Sequence, residues 1–188
     1  AKALAADRER RWEERYGERE TPQWTGHVNA SLADLAAAWG PGSALDLGAG
    51  EGGDALWLAG RGWEVRAVDI SATALERGRA AAKERGIEGI TWEQGDLVAW
   101  QAPRTYDLVN AQFLQDWEAF PREQVLRRAM GAVARGGRLV VVSHASMTPR
   151  TPHADGEVGR HGPGHHAMPT LADELATLRA SYSDFTIR

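Results

Sequence analysis

A chain of 188 residues, 43% apolar and 26% charged, suits one soluble globular domain that buries its own core. It has no cysteine, which excludes a disulfide framework, a thiolate metal site and a cysteine nucleophile. A net charge of −4 and a pI near 5.9 argue against broad, non-specific nucleic-acid binding, because nothing supplies the phosphate-neutralising charge. No apolar run is long enough to span a bilayer, and the charged N-terminal stretch carries no apolar signal region, so the expectation is a cytoplasmic protein with no membrane partner.

Residues 3–20 mix Arg and Glu at spacings of three and four, which predicts a solvated helix with Trp12 and Tyr16 one turn apart on one face. Residues 21–29 read as a loop. Leu32, Leu35 and Trp39 form one stripe of a helix over 30–39, broken by Gly40-Pro41-Gly42. From Ser43 the pattern changes to a short apolar strand (43–47), a glycine-rich turn and a helix (55–62). A second strand (63–70) precedes a helix over 71–86, with Ser71 as N-cap and Gly86 as stop. Strands follow at 89–96 and 106–114. A helix opens on Pro121 and stops at Gly136, and a fifth strand covers 138–144. Residues 147–169 are loop-like, 170–180 helical, and 181–188 begin a sixth strand.

Alternating strands and helices predict an α/β fold, Rossmann-like and doubly wound, with a mostly parallel sheet whose order reverses between the first and fourth strands. Residues 1–42 form a helical lead-in, and 43–188 the ligand-binding part of one structural domain. Ligands in such sheets bind beyond the carboxyl ends of the strands at the switch point. Each candidate feature lies at such an end.

The first is Asp46-Leu47-Gly48-Ala49-Gly50-Glu51-Gly52-Gly53. Glycine lets the backbone take positive φ and approach a ligand closely. Gly48-x-Gly50-x-x-Gly53 also fits a nicotinamide dinucleotide turn, so the glycines alone do not choose the ligand. Asp46 helps to choose: a carboxylate there repels a pyrophosphate and suits a cofactor with a cationic amino-acid end. The second feature is Asp69, placed to accept both hydroxyls of a ribose. The third is Gly95-Asp96-Leu97, where an Asp can accept an adenine amino group while the next backbone N–H donates to the ring.

In their order and spacing, LDLGAGEG, VDIS, GDL, YDLVNAQFL and ARGGRLVVVSH resemble the class I S-adenosylmethionine (SAM)-dependent methyltransferases over residues 43–144. WEERYGERE with Trp24 is similar to the lead-in of small relatives in the tellurite-resistance and thiopurine S-methyltransferase groups. The resemblance implies a seven-stranded sheet with a last antiparallel strand, whereas this sequence ends at Arg188 with a sixth strand begun. It implies SAM as cofactor and S-adenosylhomocysteine as product. Gly48, Ala49 and Gly50 would hold the methionine part, with Asp46 near its ammonium. Asp69 would take the ribose, Ile70 would lie against the adenine, and Asp96 and Leu97 would read its edge. Ala111 and Gln112 would line the reaction centre, and Tyr16 and Trp24 would close over the cofactor.

The activated methyl of a sulfonium needs a nucleophile held in line and kept from water. A soft nucleophile needs no strong base, whereas a phenol or alcohol usually does. His144, at the end of the fifth strand, is the candidate base, with a structural histidine as the plainer reading. Phe113 and Trp117 offer an aromatic substrate pocket or simple core packing. The run from His161 to His166 reads as a lid on a mobile loop rather than a metal site. The expected activity is methyl transfer to a small-molecule acceptor by a monomer or homodimer, with no metal and no nucleic acid. A nicotinamide-dependent oxidoreductase and a SAM-binding module without activity are the alternatives.

Overall fold

The computed structural model describes residues 2–18, 21, 26–114, 120–143, 170–181 and 186. Its sheet consists of β1 (Ser43–Leu47), β2 (Glu64–Asp69), β3 (Ile90–Gln94), β4 (Tyr106–Gln112) and β5 (Val133–Val142). All neighbouring strands are parallel, in the order β3-β2-β1-β4-β5. The order therefore reverses between β1 and β4, as the alternation of elements predicts. The helices are α1 (Lys2–Gly17), α2 (Ala30–Ala36), α3 (Gly53–Ala59), α4 (Ala72–Glu84), α5 (Arg122–Gly131) and α6 (Leu171–Ser181). Among the described residues no helix is long and apolar enough to cross a membrane.

Strand side chains alternate between faces, and here they feed two cores. Leu45, Leu47, Val109 and Ala111 pack with Val125, Leu126 and Ala129 of α5 and Leu178 of α6. Ala44, Val65, Ala67 and Leu108 pack on the other face with Leu32 of α2 and Ala55 and Leu58 of α3. The same alternation turns Asp46 of β1 and its register partner Asn110 of β4 toward the α2–α3 face. Two polar side chains thus enter an apolar layer as neighbours, and they must satisfy each other.

Several elements depart from the sequence expectation. Helix α2 ends at Ala36, and its buried residues are Leu32 and Ala36, while Leu35 is 51% exposed. The one-turn spacing of Leu32 and Ala36 wins because Asn29 fixes the helix start, its side chain accepting from Ser31 N at 2.9 Å. Helix α5 stops at Gly131, not Gly136. Ala132 caps the helix while its carbonyl accepts from Tyr106 N at 2.8 Å, and Val133 already pairs with Tyr106 in the sheet. The register then slips between Tyr106 and Leu108, whose partner is Arg138, and Gly136 takes φ +78° within the slip. Strand β4 ends at Gln112 because Phe113 turns to φ +49°. Ser181 closes α6, and the expected sixth strand lies, apart from Thr186, outside the described residues.

Helix α4 begins as read, with the Ser71 side chain accepting from Ala74 N at 3.1 Å. Gly78 in its interior should by propensity be better as alanine by about 1 kcal/mol. A Cβ there would lie 2.5 Å from the Trp92 ring and 3.1 Å from the Glu51 carbonyl, and the same ring covers Gly52. Gly78→Ala should therefore lower the thermal midpoint, at an overpacking cost of about 1–3 kcal/mol. In a Trp92→Leu background that cost should shrink. A raised midpoint for Gly78→Ala alone would show that the ring can move aside.

Candidate active site

A cavity of about 450 Å³ lies over the carboxyl ends of β1 to β4. Its floor is the turn after β1. Gly48 N and Ala49 N both donate to Val68 O, at 2.8 and 3.0 Å, which holds the turn against β2. Gly48 and Gly50 have φ of +71° and +54°, and a Cβ on Gly48 would stand 2.8 Å from Leu114. Asp69 completes the floor. Its Oδ2 accepts from Gly50 N at 2.7 Å and its Oδ1 from Ser71 N at 2.9 Å. Burial pushes the Asp69 carboxyl up, against the pull of the Ser71 and Gly50 amides.

Under one end of the cavity lies a chain of polar side chains. Asn110 Nδ2 donates to Asp46 Oδ1 at 2.8 Å and to Asp54 Oδ2 at 2.9 Å. Asp54 Oδ1 accepts from Asn29 N at 2.7 Å, and Gln112 Nε2 donates to Asn110 Oδ1 at 2.9 Å. Burial, with the charge of Asp54 added, pushes Asp46 up to about 8, although Asn110 works against it. Burial also raises Asp54, opposed by the Asn29 amide and Asn110.

Helix α1 roofs the cavity with Arg8, Trp12 and Tyr16. The Trp12 and Tyr16 rings lie 6.1 Å apart, and Tyr16 is buried. Glu13 anchors the helix, accepting from Thr73 Oγ1 at 2.6 Å and Thr73 N at 3.2 Å, while Gln94 Nε2 donates to Glu9 at 2.9 Å. Arg8 stands 3.8 Å from Asp96 and 5.7 Å from the Phe120 ring centre. Asp96 Oδ1 also accepts from Val98 N at 3.0 Å.

The cavity brings together Tyr16, Gly48, Ala49, Gly50, Asp69, Ile70, Asp96, Leu97, Gln112 and Phe113 of the residues expected from sequence. Two do not line it. Asp46 lies beneath, 3% exposed. Ala111 faces the α5–α6 core, because the pleat sends it opposite to Asn110 and Gln112. Trp24, Trp117, His144 and the run 161–166 lie outside the described residues. Sequence reasoning missed Arg8, Asn29, Asp54, Leu114 and Phe120, which also line the cavity, and Asn110 below it. Asn110 did leave a signal, an amide inside the apolar run YDLVNA.

Residues 44–137 match the family described as the methyltransferase domain. The chain belongs to this family. Its fold is that of the class I SAM-dependent methyltransferases. A ribosomal RNA small subunit methyltransferase C of Chromohalobacter salexigens is 35% identical over 107 residues, 55% of this chain and 32% of the relative. A 2-heptyl-1-hydroxyquinolin-4(1H)-one methyltransferase of Mycobacteroides abscessus is 38% identical over 103 residues, 54% of this chain and 45% of the relative. The chain thus spans less than half of these curated relatives' lengths. Among solved structures, a SAM-dependent methyltransferase from Mesorhizobium loti superposes with a TM-score of 0.63 at 23% identity, covering 81% of each chain. The methyltransferase family displaces the nicotinamide reading of the glycine turn. The site fits the cofactor: Gln112 Oε1, buried and without a hydrogen-bond partner, is an acceptor on the cavity wall.

The raised carboxyls link stability to pH. A carboxyl lifted to about 8 keeps a proton that the unfolded chain has already lost above its ordinary value of 3.8. The unfolded state then binds fewer protons, so stability falls as pH rises through this window. The thermal midpoint of the cofactor-free protein should fall between about pH 5 and pH 8, levelling off above it. Asp46→Asn should flatten part of that slope, with Asp54 and Asp69 supplying the remainder. Equal slopes for parent and variant would assign the linkage elsewhere.

Proposed function

We propose that the protein is an enzyme that transfers the methyl group of SAM to a small-molecule acceptor by in-line displacement. The observation that carries this reading is the roofed cavity at the switch point, ringed by Trp12, Tyr16, Phe113 and Phe120. Its size falls in the range of small-ligand sites, roughly 300–1,000 Å³. The cofactor supplies an activated methyl when bound. The chain's task is to position the acceptor and exclude water, which contributes about 7–11 kcal/mol in well-oriented reactions.

In this reading Gly48, Ala49 and Gly50 carry the methionine part and Asp69 accepts from the ribose hydroxyls. Ile70 lies against the adenine, and Asp96 and Leu97 meet its edge. Residues 1–42 act as a cofactor cover, tied down through Glu13 and Thr73. Gln112 and Phe113 face the acceptor. The proposal of His144 as general base and Trp117 as a pocket wall rests on the sequence. The relative that acts on a hydroxyquinolone supports a compact aromatic acceptor. The ribosomal RNA relative raises a second reading, an RNA acceptor, which the net charge of −4 opposes. Methyl transfer from labelled SAM should appear on hydroxylated heteroaromatic compounds and not on ribosomal RNA. Transfer to RNA alone would reject the small-molecule reading.

The cofactor placement has its own test. Asp69→Ala should weaken SAM binding by about 2–3 kcal/mol, near a hundredfold, measured by calorimetry. Asp69→Asn, which keeps one acceptor oxygen, should fall between. Parent-like affinity in both variants would mean that the ribose lies elsewhere.

A further inference from the structure

We propose that Asp54 receives the ammonium group at the amino-acid end of the cofactor. The inference rests on the cofactor placement above and adds the group that reads the cofactor's charge. The sequence points to Asp46 for this task, and the structure moves it. Asp46 is 3% exposed and lies beneath the cavity, whereas Asp54, in the first turn of α3, lines it.

The hydrogen-bond directions along the polar chain make this end of the cavity a set of acceptors. Asp46 and Asp54 take both N–H groups of Asn110. The Asn110 oxygen must then accept, so the Gln112 amide turns its nitrogen toward Asn110. That orientation leaves Gln112 Oε1 as an acceptor, buried and without a partner. Asp54 has one bond on each oxygen, from Asn29 N and from Asn110, and a carboxylate offers about four acceptor positions. Among the described residues no arginine or lysine forms an ion pair with Asp46 or Asp54.

Paired acids without a basic partner, beside an acceptor without a donor, fit a group that is cationic and only donates. An ammonium, with three N–H bonds and no lone pair, has that character, and a carboxylate has the opposite one. Burial raises the proton affinity of both acids, and the charge of Asp54 adds to it at Asp46, so a cation set against Asp54 relieves their mutual repulsion. Asn29 and Asn110 hold the Asp54 carboxylate from two sides, so little freedom is left to lose when the cation arrives.

The test uses calorimetry with three ligands: S-adenosylhomocysteine, its analogue with the amine replaced by hydrogen, and 5′-methylthioadenosine, which lacks the amino-acid part. The parent protein should bind the deaminated analogue about ten- to a hundredfold more weakly than S-adenosylhomocysteine. Asp54→Asn should lose a similar factor for S-adenosylhomocysteine and keep its affinity for 5′-methylthioadenosine. Equal affinity of the parent for the first two ligands overturns the inference, whether or not the variant folds. So does an equal loss for S-adenosylhomocysteine and 5′-methylthioadenosine in Asp54→Asn. A parent that binds none of the three overturns the cofactor placement itself, and the inference with it.

Discussion

The carboxylate of Asp69 holds the ligand end of this domain together. One oxygen takes the amide of Gly50 in the turn after β1, and the other takes the amide of Ser71 at the start of α4. Each bond satisfies a backbone donor near a strand end, where neither sheet nor helix can supply a partner. A neutral side chain could not do this as well, since bonds to an ionised acceptor are roughly twice as strong as neutral ones. The cost is a carboxylate 7% exposed, whose burial raises its proton affinity. The floor of the cavity is thus set by one charge bonded on two sides.

The other two acids repeat the bargain less completely. Asp46 and Asp54 share a single bridging amide. Three raised carboxyls around one cavity are a liability to the empty protein and an asset toward a cation. Stability and ligand affinity are set against each other here, as expected where a site rather than a core is being built.

Much of the fold could be read because local chemistry and tertiary position agree. The Ser71 cap, the glycine turn and the central place of β1 are of this kind. The misreadings share a different cause. Leu35 is apolar and correctly spaced for a helix stripe, but the stripe competes with Ala36, and the Asn29 cap settles the register. Val125 to Ala134 continue a helical pattern, yet Ala132 caps the helix with its carbonyl bonded to Tyr106 N, and Val133 pairs with Tyr106 in β5. In the site, residues at strand ends were legible because the fold puts such ends together. Asp54 was not, since an acid in the first turn of a helix is ordinary for capping and dipole reasons alone. Its place in the polar chain depends on Asn110, 56 residues away in sequence.

The roof is the least self-sufficient part of the structure, and its anchorage follows from the floor. Helix α1 is densely charged, and isolated helices of about 12–15 residues are marginal in water. It stays because Glu13 bonds both the hydroxyl and the amide of Thr73, and because Tyr16 is buried under it. Thr73 sits in the first turn of α4, two residues after Ser71, whose amide Asp69 holds. The roof is therefore fastened to the same helix start that the floor carboxylate positions. The cavity in this way couples floor and roof through a single turn of α4, and the turn is built from three small polar or apolar residues, Ser71, Ala72 and Thr73.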